Sequence, residues 1–166
     1  MRSSRLLLTV LCVLSAQALQ GTVFARIPAP GGRADLVLVV AVGFALAEGP
    51  LAGAAVGFSA GLLSDLLSDH PLGLYALVLC VVGYLCGLVG HDTERSTLRP
   101  LLVVGSATVG AALLMAGISW LLGDPRVTWF ALVRHLPATV LYDVILAPFV
   151  VPGIVALSRR LDPVER

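Results

Sequence analysis

Five apolar stretches of close to twenty residues, numbered 6–24, 50–67, 72–89, 101–122 and 139–157, constrain this chain more than anything else in it. About twenty predominantly apolar residues, rising 1.5 Å each, carry a helix across a bilayer. A sixth run, 36–47, reaches only ~18 Å as a helix. It either crosses by recruiting Gly43, Glu48 and their neighbours or dips in and returns. Breakers separate the runs: Pro28, Pro30, Gly31 and Gly32; Glu48, Gly49 and Pro50; Asp69, His70 and Pro71; 95–100; and Gly123, Asp124 and Pro125. Charged residues are 13% of the chain and hydrophobic ones 58%, whereas a soluble domain carries about 25% charged residues. Too little polar surface remains to cover a water-facing globule. The chain reads as an all-α polytopic membrane protein, a single bundle of about six transmembrane helices, five plus one short.

The same arithmetic excludes other classes. Eleven basic residues, every one an arginine, stand against 10 acidic ones for a net charge of +1, so no basic stripe offers itself to nucleic acid. No stretch longer than about 16 residues lacks an apolar run, which leaves no room for a soluble catalytic domain. Residues 1–166 are expected to form one integral membrane domain with spans near 6–24, 34–48, 50–67, 72–89, 101–122 and 139–157. Arg2 and Arg5, the apolar run behind them and Ala16-Gln17-Ala18 have the outline of a cleavable signal. Apolar character continues to Phe24, however, and the segment reads as an uncleaved anchor. Counting arginines in short loops gives seven on one side and four on the other for both five and six spans. Both solutions put 91–100 and the C-terminus in the cytoplasm, and Asp69, His70 and 123–137 outside.

The most regular pattern is Gly49, Gly53, Gly57, Gly61, Asp65 and Asp69, one residue at every fourth position. Each step of four drifts only ~40° around a helix, so Gly53, Gly57 and Gly61 form a smooth groove that lets another backbone approach. The occupant is either a helix of the same chain or one of a different subunit. Gly83 and Gly87 repeat the spacing on the next span. Asp65 ends the glycine face, and Asp143 is expected one turn into the last span, which puts both acids near the outer interface. They are either two interfacial carboxylates, with water or an arginine such as Arg126 or Arg134 nearby, or part of an outward polar cluster. That cluster would join Asp65, Asp69, His70, Arg134, His135 and Asp143 and bind a partner or ligand. Pro148 and Pro152 are expected to kink the last span.

Chemistry finds little purchase here. Cys12, Cys80 and Cys86 lie in apolar runs without C-x-x-C spacing and read as small hydrophobes. His70, His91 and His135 divide between the two sides of the membrane and cannot meet at one metal. No G-x-S-x-G, H-E-x-x-H or P-loop occurs. The expectation is a non-enzyme with no catalytic set, no metal and no cofactor.

One succession of residues is distinctive: Ala34-Asp35-Leu36, Glu48-Gly49-Pro50-Leu51-Ala52-Gly53, Gly57-Phe58, Gly61-Leu62-Leu63-Ser64-Asp65, then Pro71-Leu72-Gly73-Leu74-Tyr75-Ala76-Leu77 and Tyr84. It resembles the MreD family of bacterial rod-shape proteins, whose members carry a similar G-P-L-x-G, G-x-x-x-D and P-L-G-x-x-A-L order. The family usually has Pro where this chain has Ala34, which leaves the start of that helix less sharply fixed. The resemblance implies a non-catalytic scaffold of the cell-elongation complex in the bacterial cytoplasmic membrane. Such a scaffold binds the transmembrane helix of MreC and links MreB filaments to the polymerase RodA and its transpeptidase. It also implies Gly53, Gly57, Gly61, Asp65, Pro71, Leu72 and Gly73 as packing or partner-binding positions. The fold implied is similar to the substrate-binding component of energy-coupling-factor transporters, so a vitamin-like ligand is the alternative.

Overall fold

The computed structural model describes residues 2–24, 32–68, 72–90, 98–123 and 129–161. Six α-helices follow one another: α1 (Arg2–Leu19), continued by a π-helical turn at Gln20–Phe24, α2 (Leu36–Glu48), α3 (Pro50–Leu67), α4 (Leu74–Val89), α5 (Leu98–Leu121) and α6 (Trp129–Leu161). No strand occurs among the described residues, and the protein is an all-α polytopic membrane protein. Pro50–Leu67, Leu98–Leu121 and Val133–Ser158 are each long and apolar enough to cross a bilayer, while Leu7–Thr22, Leu36–Glu48 and Leu74–Val89 are shorter apolar helices. α6 departs from the sequence expectation. It starts at Trp129 and carries Pro137, Pro148 and Pro152 inside it, so Arg134, His135 and Pro137 belong to a helix rather than a loop. A proline removes one helical bond, and membrane helices tolerate the loss where neighbours satisfy the freed carbonyl. The outer loop expected over 123–137 is therefore too long, and its last residues belong to α6.

The short apolar run is the centre of the bundle. Every residue from Leu36 to Ala45 is buried, and α2 packs on all five other helices. A helix that is apolar all round is one enclosed by protein, so lipid thickness does not set its length. At 13 residues it rises ~20 Å, enough to run beside its neighbours. Gly49, at φ 93°, turns the chain directly into α3, and Pro50 opens that helix where its missing N–H has no partner to lose. Val13 and Ala16 bring α1 into the same core, as Ala147, Val151 and Ile154 do for α6.

α3 and α4 are the most closely interlocked pair, and glycine is the cause. A Cβ added at Gly57 would lie 2.2 Å from the Leu79 carbonyl oxygen, and one at Gly61 would lie 2.6 Å from the Ala76 Cα. A Cβ added at Gly53 would lie 2.5 Å from the Gly83 carbonyl oxygen, one at Gly83 would lie 2.3 Å from the Gly53 carbonyl oxygen, and one at Gly87 would lie 2.4 Å from the Pro50 Cα. The space over the glycine strip is therefore filled by the chain's own α4. Lipid is as apolar as leucine, so this contact rests on dispersion and close backbone approach rather than on exclusion of water. Gly110 and Gly117 of α5 have nothing within 4 Å of the corresponding point. Thermal unfolding in detergent distinguishes the two kinds of glycine. Gly57→Ala should destabilise by about 2 kcal/mol or more, because main chain must move to admit the methyl group. Gly110→Ala should be neutral or slightly stabilising, since alanine is the better helix former.

Candidate functional site

The buried polar side chains converge where α2 and α4 begin. Asp65, near the end of α3, is 2% exposed. Its carboxylate accepts the main-chain N–H groups of Gly73 (2.9 Å), Tyr75 (3.3 Å) and Ala76 (3.1 Å). These are donors at the first turn of α4, which no residue of that helix can satisfy. Asp35 does the same for α2, accepting from the Leu38 N–H at 3.1 Å. The Tyr75 hydroxyl donates to the other Asp35 oxygen, tying the start of α4 to the start of α2. Asp143, fully buried, accepts the Asp35 N–H at 2.7 Å and lies 2.9 Å from the Thr108 hydroxyl. Gln20 completes the collar: its oxygen accepts from the Val37 N–H at 3.1 Å and its amide nitrogen donates to Asp35. Gln17 of α1 reaches the Ala60 carbonyl and the Ser64 hydroxyl of α3.

The electrostatics follow from that geometry. The described arginine side chains, Arg33, Arg99 and Arg134, are exposed, so these acids are balanced by N–H donors and by the positive ends of two helix dipoles. A hydrogen bond to a charged group contributes about 1.5–3 kcal/mol, and the carboxylates collect two or three each. Among the described residues, no buried side-chain polar atom lacks a hydrogen-bond partner. The arrangement binds helices together from six elements. It also fixes the start of α2, which the Ala34 departure had left loose.

The sequence-predicted residues divide. Gly53, Gly57 and Gly61 line the α3–α4 contact, Asp65 caps α4, and Gly73 supplies one of the capped N–H groups at φ 92°. Leu72 is exposed. Asp69, His70 and Pro71 lie outside the described residues. Asp143 is not one turn into its helix. Because α6 starts at Trp129, Asp143 sits deep within it, more than two turns beyond Arg134 and His135, which are exposed. Asp35, Tyr75, Gln17, Gln20 and Thr108 were missed as site residues. Asp35 carried a signal, an N-cap residue directly before an apolar run, and so did two glutamines within an apolar segment. Tyr75 and Thr108 carried none that composition or spacing reveals.

An open groove of about 690 Å³ lies elsewhere, between α4 and α5, lined by Val82 and Leu85 of α4 and by Val103, Gly110, Leu114 and Gly117 of α5. Ser106 is the one hydroxyl among its lining residues. The collar and the groove predict different sensitivities. Asp65→Ala strands three N–H groups and should cost at least about 2 kcal/mol, read as a lower unfolding midpoint. Ser106→Ala, whose hydroxyl bonds only within its own helix, should leave that midpoint unchanged.

The quoted succession contributes Asp35, Asp65 and Tyr75 to the collar and Gly53, Gly57 and Gly61 to the glycine interlock. The sequence profile of the rod shape-determining protein MreD matches residues 1–161. A search of the curated proteins finds no match to the chain. With the profile covering nearly the whole sequence, this chain belongs to the MreD family of rod shape-determining membrane proteins.

Proposed function

We propose that this protein is a non-catalytic scaffold subunit of the bacterial cell-elongation complex, resident in the cytoplasmic membrane with its C-terminus inside. Its immediate partner is MreC, bound through that protein's single transmembrane helix. Through MreC and further contacts it links MreB filaments to RodA and the associated transpeptidase. The family match over residues 1–161 is the observation that carries this reading. The disposition of polar groups supports it, because Asp35, Asp65 and Asp143 are engaged in capping and cross-bracing helices. Exposed apolar side chains such as Leu77, Leu85, Leu102 and Phe149 supply the outer surface on which a foreign helix packs. The glycine strip at Gly53, Gly57 and Gly61 is taken by α4, so the partner helix belongs on that outer surface. A vitamin-like ligand wants convergent polar groups around it, and the α4–α5 groove, with Ser106 as its hydroxyl, suits one poorly.

Affinity purification from native membranes, with mass spectrometry of bound proteins and of extracted small molecules, tests the proposal. A stoichiometric single-span protein is the expected companion. A retained small ligand with no protein companion would contradict it.

A further inference from the structure

The three acids of the collar, two buried and Asp35 half-buried, differ in their hydrogen inventories. Every contact made to Asp65 comes from a main-chain N–H, and an N–H cannot accept. Asp35 takes the Leu38 N–H, the Gln20 amide and the Tyr75 hydroxyl. At Asp143, Oδ1 accepts the Asp35 N–H at 2.7 Å, and Oδ2 lies 2.9 Å from Thr108 Oγ1. That same Oγ1 lies 3.0 Å from the Val104 carbonyl oxygen. Thr108 thus has one hydroxyl hydrogen and two acceptors in reach. Turned toward Asp143, the hydrogen satisfies a carboxylate. Turned toward Val104, it leaves a lone pair facing Asp143, and the contact then holds only when Asp143 supplies the hydrogen.

We infer that the Thr108–Asp143 pair is a proton joint, a link between α5 and α6 that holds whether Asp143 carries a hydrogen or not. The ionisable groups facing it are Asp35 from α2 and, behind Asp35, Tyr75 from α4, with Asp65 of α3 beyond that tyrosine. Gln20 of the π-helical turn and Thr108 of α5 are neutral. On α6 itself, Tyr142 adjoins Asp143, and His135 and Arg134 lie more than two turns away. The joint lets a proton enter or leave the middle of the bundle without parting α5 from α6. A hydrogen added to Asp65 instead breaks one of the bonds that hold the first turn of α4.

Asparagine has the shape of the protonated acid: its amide nitrogen donates and its oxygen accepts. In the purified protein, Asp143→Asn should unfold within about 2 °C of the parent. Asp65→Asn, whose amide hydrogens meet N–H donors, should unfold roughly 5 °C lower or more. In infrared difference spectra across a pH titration, the protonated-carboxyl region of the parent should contain a band, beyond those of the exposed acids, that is missing from Asp143→Asn. Equal effects of the two substitutions, large or small, overturn the inference. So does the absence of that band at every pH at which the parent stays folded, or its persistence in Asp143→Asn.

Discussion

Everything in this bundle depends on how closely α3 and α4 approach. In water, two apolar helices associate because water leaves the contact. In lipid that drive is missing, and packing and hydrogen bonds replace it. Glycine at Gly53, Gly57, Gly61, Gly83 and Gly87 supplies the packing, because each position brings main chain against main chain with no room for a methyl group. With α3 and α4 locked, α2 finds a wall to lie on, and α1, α5 and α6 close around it.

The polar collar sits at one end of that locked pair, and its logic is also geometric. α2 and α4 both start inside protein, where four N–H groups of each first turn need acceptors and water is scarce. Asp35, Asp143 and Gln20 serve α2, and Asp65 serves α4. The tolerance for buried acids in a chain without lysine follows. The N–H donors and helix dipoles take the place of cations, so no basic side chain has to be brought to membrane depth. The collar also joins what the glycine contact does not, since Asp143 and Thr108 fasten α6 and α5 to the start of α2.

Much of this was legible beforehand, for physical reasons. The fold class followed from apolar run length and charge scarcity, and the regular spacing of Gly53, Gly57 and Gly61 marked a close backbone contact. Spacing could not say which helix fills such a groove, because any backbone fits a smooth face; only the tertiary arrangement identifies α4. The role of the short run was hidden for a related reason, since length rules assume lipid on the outside and α2 has protein there. Asp143 was misplaced because the last span was expected to start at 139, whereas α6 starts at Trp129 and runs through Pro137, as membrane helices accommodate proline. Tyr75 and Thr108 were invisible because a hydroxyl on an apolar helix announces nothing until its partner, 40 residues away in the case of Tyr75 and Asp35, comes into contact.

The chain's membership of the rod shape-determining family and the scaffold function proposed above fit these features. A protein whose polar groups are spent on bracing its own helices is suited to hold a shape that others bind. That account stands on the α3–α4 contact being as close in a bilayer as the geometry requires. Solid-state magnetic resonance on protein in lipid, with the Gly57 Cα and the Leu79 carbonyl carbon labelled, measures it directly. Strong transfer between the two carbons at short mixing times is the predicted result. No transfer at any mixing time, in a sample that is folded and inserted, would show that the helices stand apart and contradict the account.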